Sequence, residues 1–420
     1  MNVVKRIFFF IAGLALLYFL YLESQGKGDF FIFLSASQDL FKGQNIFKNT
    51  YVDSYHYFYS VFFAVLLHPF TWLPFQVAKF IWLCLNVVLV WRIFLIIKNL
   101  LPLHSFTKKQ LLIMRIGGFL FAFRFIFENL HHSQTTILLL YLSLQGLQFI
   151  FSNKALPGAA LLALGINIKL LPIVLLPYLF YRGFFKAGIF SIAFCMIFIF
   201  TPALFVGWQQ NQILLHTWSG LVNPTNTVHV LDVDERSFHG LSTLLSTLLV
   251  ENVPDAYAMP YKRNIANLSL DQLGLVLNCI RLTLIAFSLY FFRSLPFKPA
   301  SGMKQQFWEV SYLLMLIPLI FPHQQHYAFL FICPAFVFCI YYLIQNKEIL
   351  SRTKFNFILI SCCFIYLICN LKILLGEFNH YYEHFKILTY GALFLIIVLA
   401  FCVPRDEEAN ADGAITPNEK

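Results

Sequence analysis

Asp29 is a carboxylate in a position where it could do chemistry. It follows the apolar run at 7–23 and opens the stretch GDFFIFLSASQDLFKGQNIF at 28–47. At a membrane surface, a single carboxylate can serve as the general base that deprotonates an attacking hydroxyl. Asp is also a good helix N-cap, although Ile32, three residues further on, gives no capping box. The residue types alone leave both interpretations open.

Aromatic and basic side chains form two further candidate groups. Tyr55 and Tyr57 belong to VDSYHYFYSVFF, at the start of the second apolar run. Tyrosines at this depth are typical of an interfacial aromatic belt, and they would also suit a wall on which a sugar stacks. Lys169 stands in GINIKLLP between Gly165 and Pro172, which could break a helix. Its ammonium would either snorkel to the interface or bind an anionic phosphate.

The segment FPHQQHYAFLF places His323, His326 and Tyr327 between two apolar runs. The two histidines are three residues apart and could share a helix face. No third ligand with the spacing of a metal site accompanies them, so we expect neither a metal ion nor a cofactor. A phosphate contact, a sugar contact and a plain loop all fit. ENLHHSQTT, which contains Gln134, is a similar polar break, and the predicted topology places it toward the cytoplasm.

The composition requires that membrane-embedded elements position these residues. The chain of 420 residues is 59% hydrophobic and only 12% charged. That is too apolar for a water-soluble fold and predicts an all-α polytopic membrane protein. The run at 7–23 follows a basic start but lacks a small-residue cleavage site, so we expect a retained helix. The net charge of +10 fits basic residues at the ends of spans, and nucleic acid is not an expected partner.

About twelve transmembrane helices are predicted from the apolar runs of sufficient length. Both termini would be cytoplasmic, because most basic clusters then fall on the inner side. The basic stretch at 98–109 disagrees: either it is a tolerated exception or 57–71 is a re-entrant hairpin. The predicted spans are 7–23, 57–71, 75–98, 111–127, 134–151, 156–181, 185–206, 272–293, 307–321, 326–345, 355–374 and 384–403.

Two long loops face outward in this topology, at 24–56 and 207–271. Both contain amphipathic segments, which predict interfacial helices lying in the membrane plane. We assign residues 1–404 to one integral-membrane domain. The polar, acidic tail at 405–420 is expected to be disordered and cytoplasmic.

Six segments, taken in order, resemble the motifs of glycosyltransferase family 87, also called the DUF2029 family. The closest similarity is the glycine-rich run that leads into the Lys-x-x-Pro of GINIKLLP. Tyr59 and Ser60 stand where the family has prolines, and Glu235 and Arg236 replace Asn and Gln. The six segments are GDFFIFLSASQDLFKGQNIF, YHYFYSVFFAVLLHPFTWLP, NLHHSQTTILLL, PGAALLALGINIKLLPIVLLPYLF, ERSFHGLSTLL and FPHQQHYAFLF.

The resemblance implies a GT-C fold in the bacterial inner (cytoplasmic) membrane, with the active site on the extracytoplasmic side. It implies an inverting, metal-independent hexosyltransferase, with mannose as the family-level sugar. The donor would be a polyprenyl-phosphate-linked sugar and the acceptor a glycolipid or glycan. Asp29 would be the general base. Lys169, His326 and Tyr327 would hold the donor phosphate, and Tyr55, Tyr57, Gln134, Arg236, His239 and His323 would contact the sugar or acceptor.

Two other functions remain open at this level. A transporter or lipid-carrier flippase would need paired ionisable residues near the midplane or repeated broken helices. Arg92, Arg115 and Arg124 have no apparent acidic partner within the predicted spans. A pseudoenzyme that only binds a lipid carrier would have the same sequence features, and only an activity measurement separates it from an enzyme.

Overall fold

A computed structural model shows an all-helical protein. It describes residues 3–52, 55–223, 228–233, 238–253, 255, 258–300 and 302–404, and these residues contain no β-strand. The helices pack around one large apolar core. A second, small apolar core lies between the helices at 241–249 and 270–292. The tail at 405–420 lies outside the described residues, so its expected disorder stays a prediction.

The described α-helices are numbered here in chain order. Short 3₁₀ turns connect some of them, at His68–Trp72, Leu171–Val174 and His326–Ile332. The α-helices are α1 Val3–Gln25, α2 Gly28–Phe41, α3 Val61–Leu67, α4 Phe75–Leu100, α5 Lys108–His131, α6 Thr136–Phe151, α7 Ala155–Ile168, α8 Leu175–Tyr181, α9 Phe185–Phe200, α10 Ala203–Val206, α11 Trp208–Val222, α12 Val228–Leu231, α13 Leu241–Leu249, α14 Leu270–Phe292, α15 Met303–Ile320, α16 Cys333–Gln345, α17 Arg352–Asn370, α18 Asn379–His384 and α19 Ile387–Phe401.

Seven helical segments among the described residues are long and apolar enough to cross a membrane, and eight if the bent pair 376–384 and 387–401 is one span. The chain is therefore a multi-pass membrane protein. Several other apolar helices are shorter, with 10 to 17 residues. The predicted total of about twelve spans is not confirmed.

Contacts between helix termini divide the bundle into two ends. Helices α1 and α5 finish side by side, because the His131 ring lies 3.1 Å from the Glu23 carboxylate. Helix α4 begins at the same place, where the Lys79 ammonium donates to the Gly26 carbonyl at 2.9 Å. We call this the site end and the opposite one the far end.

The segment between α1 and α4 stays at the site end. Since α1 finishes there and α4 begins there, α2, α3 and the turn at 68–72 do not cross the bundle. Of the two alternatives for 57–71, the structure therefore supports the re-entrant one. Helix α4 leads to the far end, where Ser105 donates to the Gln345 side chain at 3.5 Å. The basic stretch at 98–109 thus lies at the far end.

Helices α6 and α7 form a tight antiparallel hairpin. A Cβ on Gly158 would lie only 2.6 Å from the Gly146 carbonyl oxygen, so both positions need glycine for this approach. Helix α7 ends at Ile168, and Lys169 has an extended backbone with φ −150° and ψ 130°. The expected single span at 156–181 is therefore two helices with a break. The hairpin brings the start of α6 and Lys169 together at the site end.

A candidate active site at one end of the helix bundle

Asp29 lies in the first turn of α2, at the site end. Lys27 occupies the N-cap position, so the interpretation of Asp29 as the helix cap is wrong. The Asp29 carboxylate instead accepts a hydrogen bond from the Gln134 side-chain amide. Its backbone N–H donates to the His132 carbonyl at 3.1 Å. The carboxylate is thus fixed against the α5–α6 connection.

Gly28 permits this close approach of α2 to the α5–α6 connection. Its φ of +57° lies in the left-handed region that favours glycine. A Cβ at this position would lie 3.3 Å from the His132 carbonyl oxygen and 3.4 Å from both the Ser133 hydroxyl and the Lys79 ammonium. Any side chain here would push Asp29 away from its partners.

Tyr59 and Lys169 complete this group, which we call the Asp29 cluster: Asp29, Gln134, Tyr59 and Lys169. The Tyr59 hydroxyl donates to Gln134 Oε1 at 3.1 Å, which leaves the amide nitrogen to face Asp29. The Lys169 ammonium lies 5.3 Å from the centroid of the Tyr59 ring, and its charge acts on Asp29. The structure therefore brings together three of the predicted site residues, Asp29, Gln134 and Lys169.

The environment of Asp29 favours a role as a proton acceptor. Burial raises the pKa of its carboxyl above the ordinary value, whereas the Gln134 hydrogen bond and the charges of His132 and Lys169 oppose that shift. A carboxylate with a raised pKa takes a proton from a hydroxyl more readily. The residue is only half-buried, so a substrate can reach it.

His326 and His239 belong to a second, buried cluster around Glu383. His326 Nε2 lies 3.0 Å from Glu383 Oε1. His239 Nε2 lies 3.0 Å from the other carboxylate oxygen, Oε2. Burial lowers the pKa of His239 to about 4 despite the neighbouring Glu383 charge, so this imidazole is neutral at physiological pH. The two histidines therefore bind a protein carboxylate in the unliganded protein.

Lys372 connects this second cluster with the Asp29 cluster. Its ammonium lies 3.3 Å from His326 Nδ1 and 3.5 Å from the Glu128 carboxylate. Glu128 in turn lies 3.4 Å from the His132 ring. Tyr327 lies over the same connection, with its ring centroid 6.3 Å from that of His132. A continuous series of polar side chains thus runs along the site end.

The donor set of His239, His326 and Glu383 is one that a divalent metal could use, since its ligand atoms all lie within 4.8 Å of one another. The surrounding charges argue against it. An ammonium group can only donate, so Lys372 requires His326 Nδ1 to be the acceptor, which puts the imidazole proton on Nε2. A metal would need that nitrogen unprotonated and would lie beside the Lys372 cation. The residues fit a cluster of paired charges better than a metal centre.

His323 does not share a site with His326. Its Nδ1 lies 2.9 Å from the Asp232 carboxylate, and its Nε2 lies 2.8 Å from Nδ1 of His229. Its ring stacks on Phe58 with a centroid separation of 5.8 Å. We call Asp232, His229 and His323 the His323 cluster.

The remaining predicted site residues have other positions. Tyr57 is buried, and its hydroxyl donates to the Ser60 carbonyl at 2.8 Å, so it supports the segment before α3. Tyr55 is exposed, and its backbone carbonyl accepts from Tyr51. Arg236 lies outside the described residues.

Comparison with known proteins identifies the family. The model of glycosyltransferase family 87 matches residues 57–322, which is well over half of the chain. The chain belongs to glycosyltransferase family 87. No curated protein and no solved structure matches it significantly.

The family 87 match contains much of the site but not all of it. Gln134 and Lys169 lie within the matched stretch. Asp29 precedes it, and His326 and Glu383 lie beyond it. The geometry places these outer segments against the matched core, because Asp29 binds Gln134 directly. The segment around Asp29 therefore contributes to the candidate site although it lies outside the matched residues.

Several polar residues of the site escaped the sequence analysis. Glu383 lies in the polar, aromatic stretch between the last two predicted spans, and Lys372 lies just before it, near the end of the span at 355–374, so this break was the available signal. Asp232 has no comparable signal, because its partners are remote in sequence. Gln134 was assigned to the cytoplasmic side because 57–71 was counted as a span. That placement is wrong relative to Asp29, which its side chain contacts.

Proposed function

We propose that this family 87 glycosyltransferase moves a hexose from a polyprenyl-phosphate donor to an extracytoplasmic glycolipid or glycan, with inversion and with Asp29 as the general base. Mannose is the family-level choice of sugar, and a GT-C fold with interfacial helices is part of the proposal. The observation that carries it is the Asp29 cluster, in which one carboxylate is held by an amide beside a cation.

One carboxylate is sufficient for this reaction. The acceptor hydroxyl would transfer its proton to Asp29 as its oxygen attacks the anomeric carbon, and the bond to the donor phosphate would break on the opposite face. Phosphate is an adequate leaving group, so no protein acid is required. Lys169 would stabilise the negative charge that develops on the phosphate. Attack from the face opposite the leaving group inverts the anomeric centre.

The distribution of basic residues supports an extracytoplasmic site. Positive side chains concentrate in the loops on the cytoplasmic side of membrane proteins. Lys98 and Lys108 lie at the far end, as does Arg182, which pairs with the buried Glu309 carboxylate. The opposite end, with Asp29, would then face outward, in the inner membrane of a bacterium.

The other predicted site residues have the following proposed roles. His326 and Tyr327 would bind the donor phosphate through the Lys372 connection described above, after local rearrangement around Glu383. Gln134 would orient Asp29. His239, His323, Tyr55, Tyr57 and Arg236 stay proposed contacts of the sugar or acceptor.

Transfer from a panel of radiolabelled polyprenyl-phosphate hexoses tests the proposal. Membranes with the wild-type protein should label endogenous lipid or glycan, and membranes without it should not. Lys169→Ala should raise the KM for the donor about tenfold or more, as expected for loss of a charge-assisted phosphate contact. Lys154→Ala, at the far end of the same hairpin, is the matched control and should behave as wild type. Unchanged donor KM in Lys169→Ala would remove Lys169 from the phosphate site.

A further inference from the structure

The His323 cluster contains a hydrogen-bond chain whose protons can be counted. Asp232 Oδ1 lies 2.9 Å from His323 Nδ1. His323 Nε2 lies 2.8 Å from His229 Nδ1, and His229 Nε2 lies 2.8 Å from the Leu221 carbonyl. A carboxylate and a carbonyl stand at the two ends of the chain, and both can only accept.

The two acceptors at the ends fix the protonation of both rings. His229 must carry its proton on Nε2 to donate to Leu221, so its Nδ1 is an acceptor when the ring is neutral. His323 must then donate from Nε2 to His229 and from Nδ1 to Asp232. A ring that donates from both nitrogens is an imidazolium. The chain is therefore complete only when the His229–His323 pair carries one positive charge, and the burial that lowers the pKa of His229 favours its location on His323.

Asp232 is held firmly in place to balance this charge. It is buried and accepts hydrogen bonds from the Ser242 hydroxyl at 2.7 Å and from the His323 backbone N–H at 3.0 Å. Burial alone would raise the pKa of Asp232, but hydrogen bonds and charge from His323 hold it below its ordinary value. Asp232 and His323 both have positive φ, 50° and 57°, an uncommon conformation that is typical of functional sites when non-glycine residues adopt it.

Arg281 adds a second positive charge to this region. It lies near the middle of α14, a candidate membrane span, where an ionisable residue needs a functional reason. Ile280, which precedes it, packs against the same small apolar cluster as Val230 and Leu231, so Arg281 lies close to the segment that carries His229 and Asp232. Its charge acts on both of these residues. Its Nε and Nη2 atoms are buried and have no hydrogen-bond partner among the described residues. Unpaired guanidinium N–H groups beside an imidazolium would be satisfied by an anion.

The position of Arg281 and His323 indicates which kind of molecule would carry the anion. Phe58, which stacks on His323, directly precedes Tyr59, over which Lys169 lies. Both cationic groups therefore flank the same short segment beside the Asp29 cluster. The neighbours of Arg281 on the outer face of α14, such as Leu275 and Leu282, are exposed and apolar, as expected for a lipid-facing helix.

We propose that Arg281 and the His323 imidazolium form a binding site for the phosphate group of a lipid-linked substrate, with Asp232 and His229 as positioning residues. Arg281 supplies N–H donors and His323 supplies charge. The anion site rests on the hydrogen-bond chain and on the buried guanidinium atoms of Arg281, and its assignment to the donor phosphate rests on the proposed function. It adds a hydrogen-bonding ligand from α14, and a positive charge from the segment before the 326–332 turn, to the cation Lys169.

Binding of farnesyl phosphate to the detergent-purified protein tests this site without any need for catalysis. Thermal-shift titrations would compare farnesyl phosphate, farnesol and inorganic phosphate on the wild-type protein and on each variant. Arg281→Gln and His323→Gln should each weaken farnesyl phosphate binding about tenfold, the size of one charge-assisted hydrogen bond. Arg293→Gln, at the far end of the same helix, is the matched control and should bind as wild type.

A pH series on the wild-type protein provides the second readout and needs no variant. Farnesyl phosphate binding should weaken as pH rises, because the His229–His323 pair loses the proton that completes the hydrogen-bond chain, whereas farnesol binding should not change. Asp232, His229, Arg281 and Lys386 are the other charged or titratable groups acting on this cluster. Lys386→Gln in the same series separates any contribution of Lys386. Asp232→Asn should remove the pH dependence, because the imidazolium loses its counter-ion.

The outcomes separate the inference from the proposed function. Wild-type affinity in both Arg281→Gln and His323→Gln would overturn the inference and leave the transferase proposal intact. Equal binding of inorganic and farnesyl phosphate would overturn the lipid source. Absence of any farnesyl phosphate binding to wild type would overturn the inference, and it would also count against a polyprenyl-phosphate donor. Where Arg281→Gln does not fold, Arg281→Lys keeps the charge and loses the planar fork, and it should show intermediate affinity.

Discussion

The Asp29 carboxylate is partly buried and has few hydrogen-bond partners, so its ionisation has an energetic cost. Burial raises the pKa of its carboxyl in the folded protein above the unfolded value. The folded state then holds this proton more tightly than the unfolded state. The corresponding stability is fully present below the unfolded pKa and is lost as pH rises through the folded pKa. At neutral pH the ionised carboxylate therefore destabilises the fold, as is common for catalytic groups.

Asp29→Asn should consequently be at least as thermally stable as wild type at about pH 7, because it keeps an acceptor for Gln134 and removes a partly buried charge. The advantage should shrink as pH falls, because the raised pKa makes the wild-type carboxyl take up its proton at a higher pH than an ordinary Asp does. Thermal unfolding of detergent-purified protein at several pH values measures this. Asp39→Asn is the control: Asp39 accepts from the Asn49 amide at 2.9 Å and should show no such gain. A clear loss of stability in Asp29→Asn at neutral pH would contradict the account.

At the scale of elements, the α6–α7 hairpin sets the distance between Gln134 and Lys169. Gly158→Ala would place a Cβ 2.6 Å from the Gly146 carbonyl oxygen, so the helices must move apart. We expect a loss of about 1–3 kcal/mol in the free energy of unfolding and reduced sugar transfer. Gly220→Ala in α11, where nothing lies within 4 Å, is the matched control and should be neutral. Wild-type stability of Gly158→Ala would show that the close packing does not matter.

The helical class and most helix positions could be predicted from the sequence, because apolar runs of span length have few other solutions in a bilayer. The break at Lys169 was also visible from Gly165 and Pro172. The path of 57–71 could not be predicted, because a short apolar run has the same composition whether it spans the membrane or forms a re-entrant segment. That ambiguity moved Gln134 to the wrong side of the site.

Some residues of the candidate site could also be predicted from the sequence, and others could not. Asp29, Lys169 and Gln134 were identifiable as polar interruptions of apolar sequence. Tyr59 was counted with the aromatic belt, and only its hydrogen bond to Gln134 reveals its role. The Asp232 partnership with His323 joins residues 91 positions apart, and no local pattern predicts such a contact.

At the scale of the whole molecule, the two ends of the bundle must face opposite sides of the membrane. A re-entrant 57–71 segment places the loop at 101–107 on the side opposite Asp29. His104→Cys should therefore react with a membrane-impermeant maleimide only from the cytoplasmic side, and Gln44→Cys only from the outer side. Both residues are exposed, and the exposed Cys279 and Cys363 should first be replaced by serine. Labelling of both positions from the same side would refute this topology.

The most direct measurement of the central claim is sugar transfer from labelled polyprenyl-phosphate hexoses by wild type, Asp29→Asn and Asp39→Asn at matched expression and thermal stability. The account predicts transfer by wild type and Asp39→Asn and a loss of about 10²-fold or more in Asp29→Asn, the usual contribution of a general base. Transfer by a stably folded Asp29→Asn at near wild-type rates would contradict the assignment of Asp29 as the base.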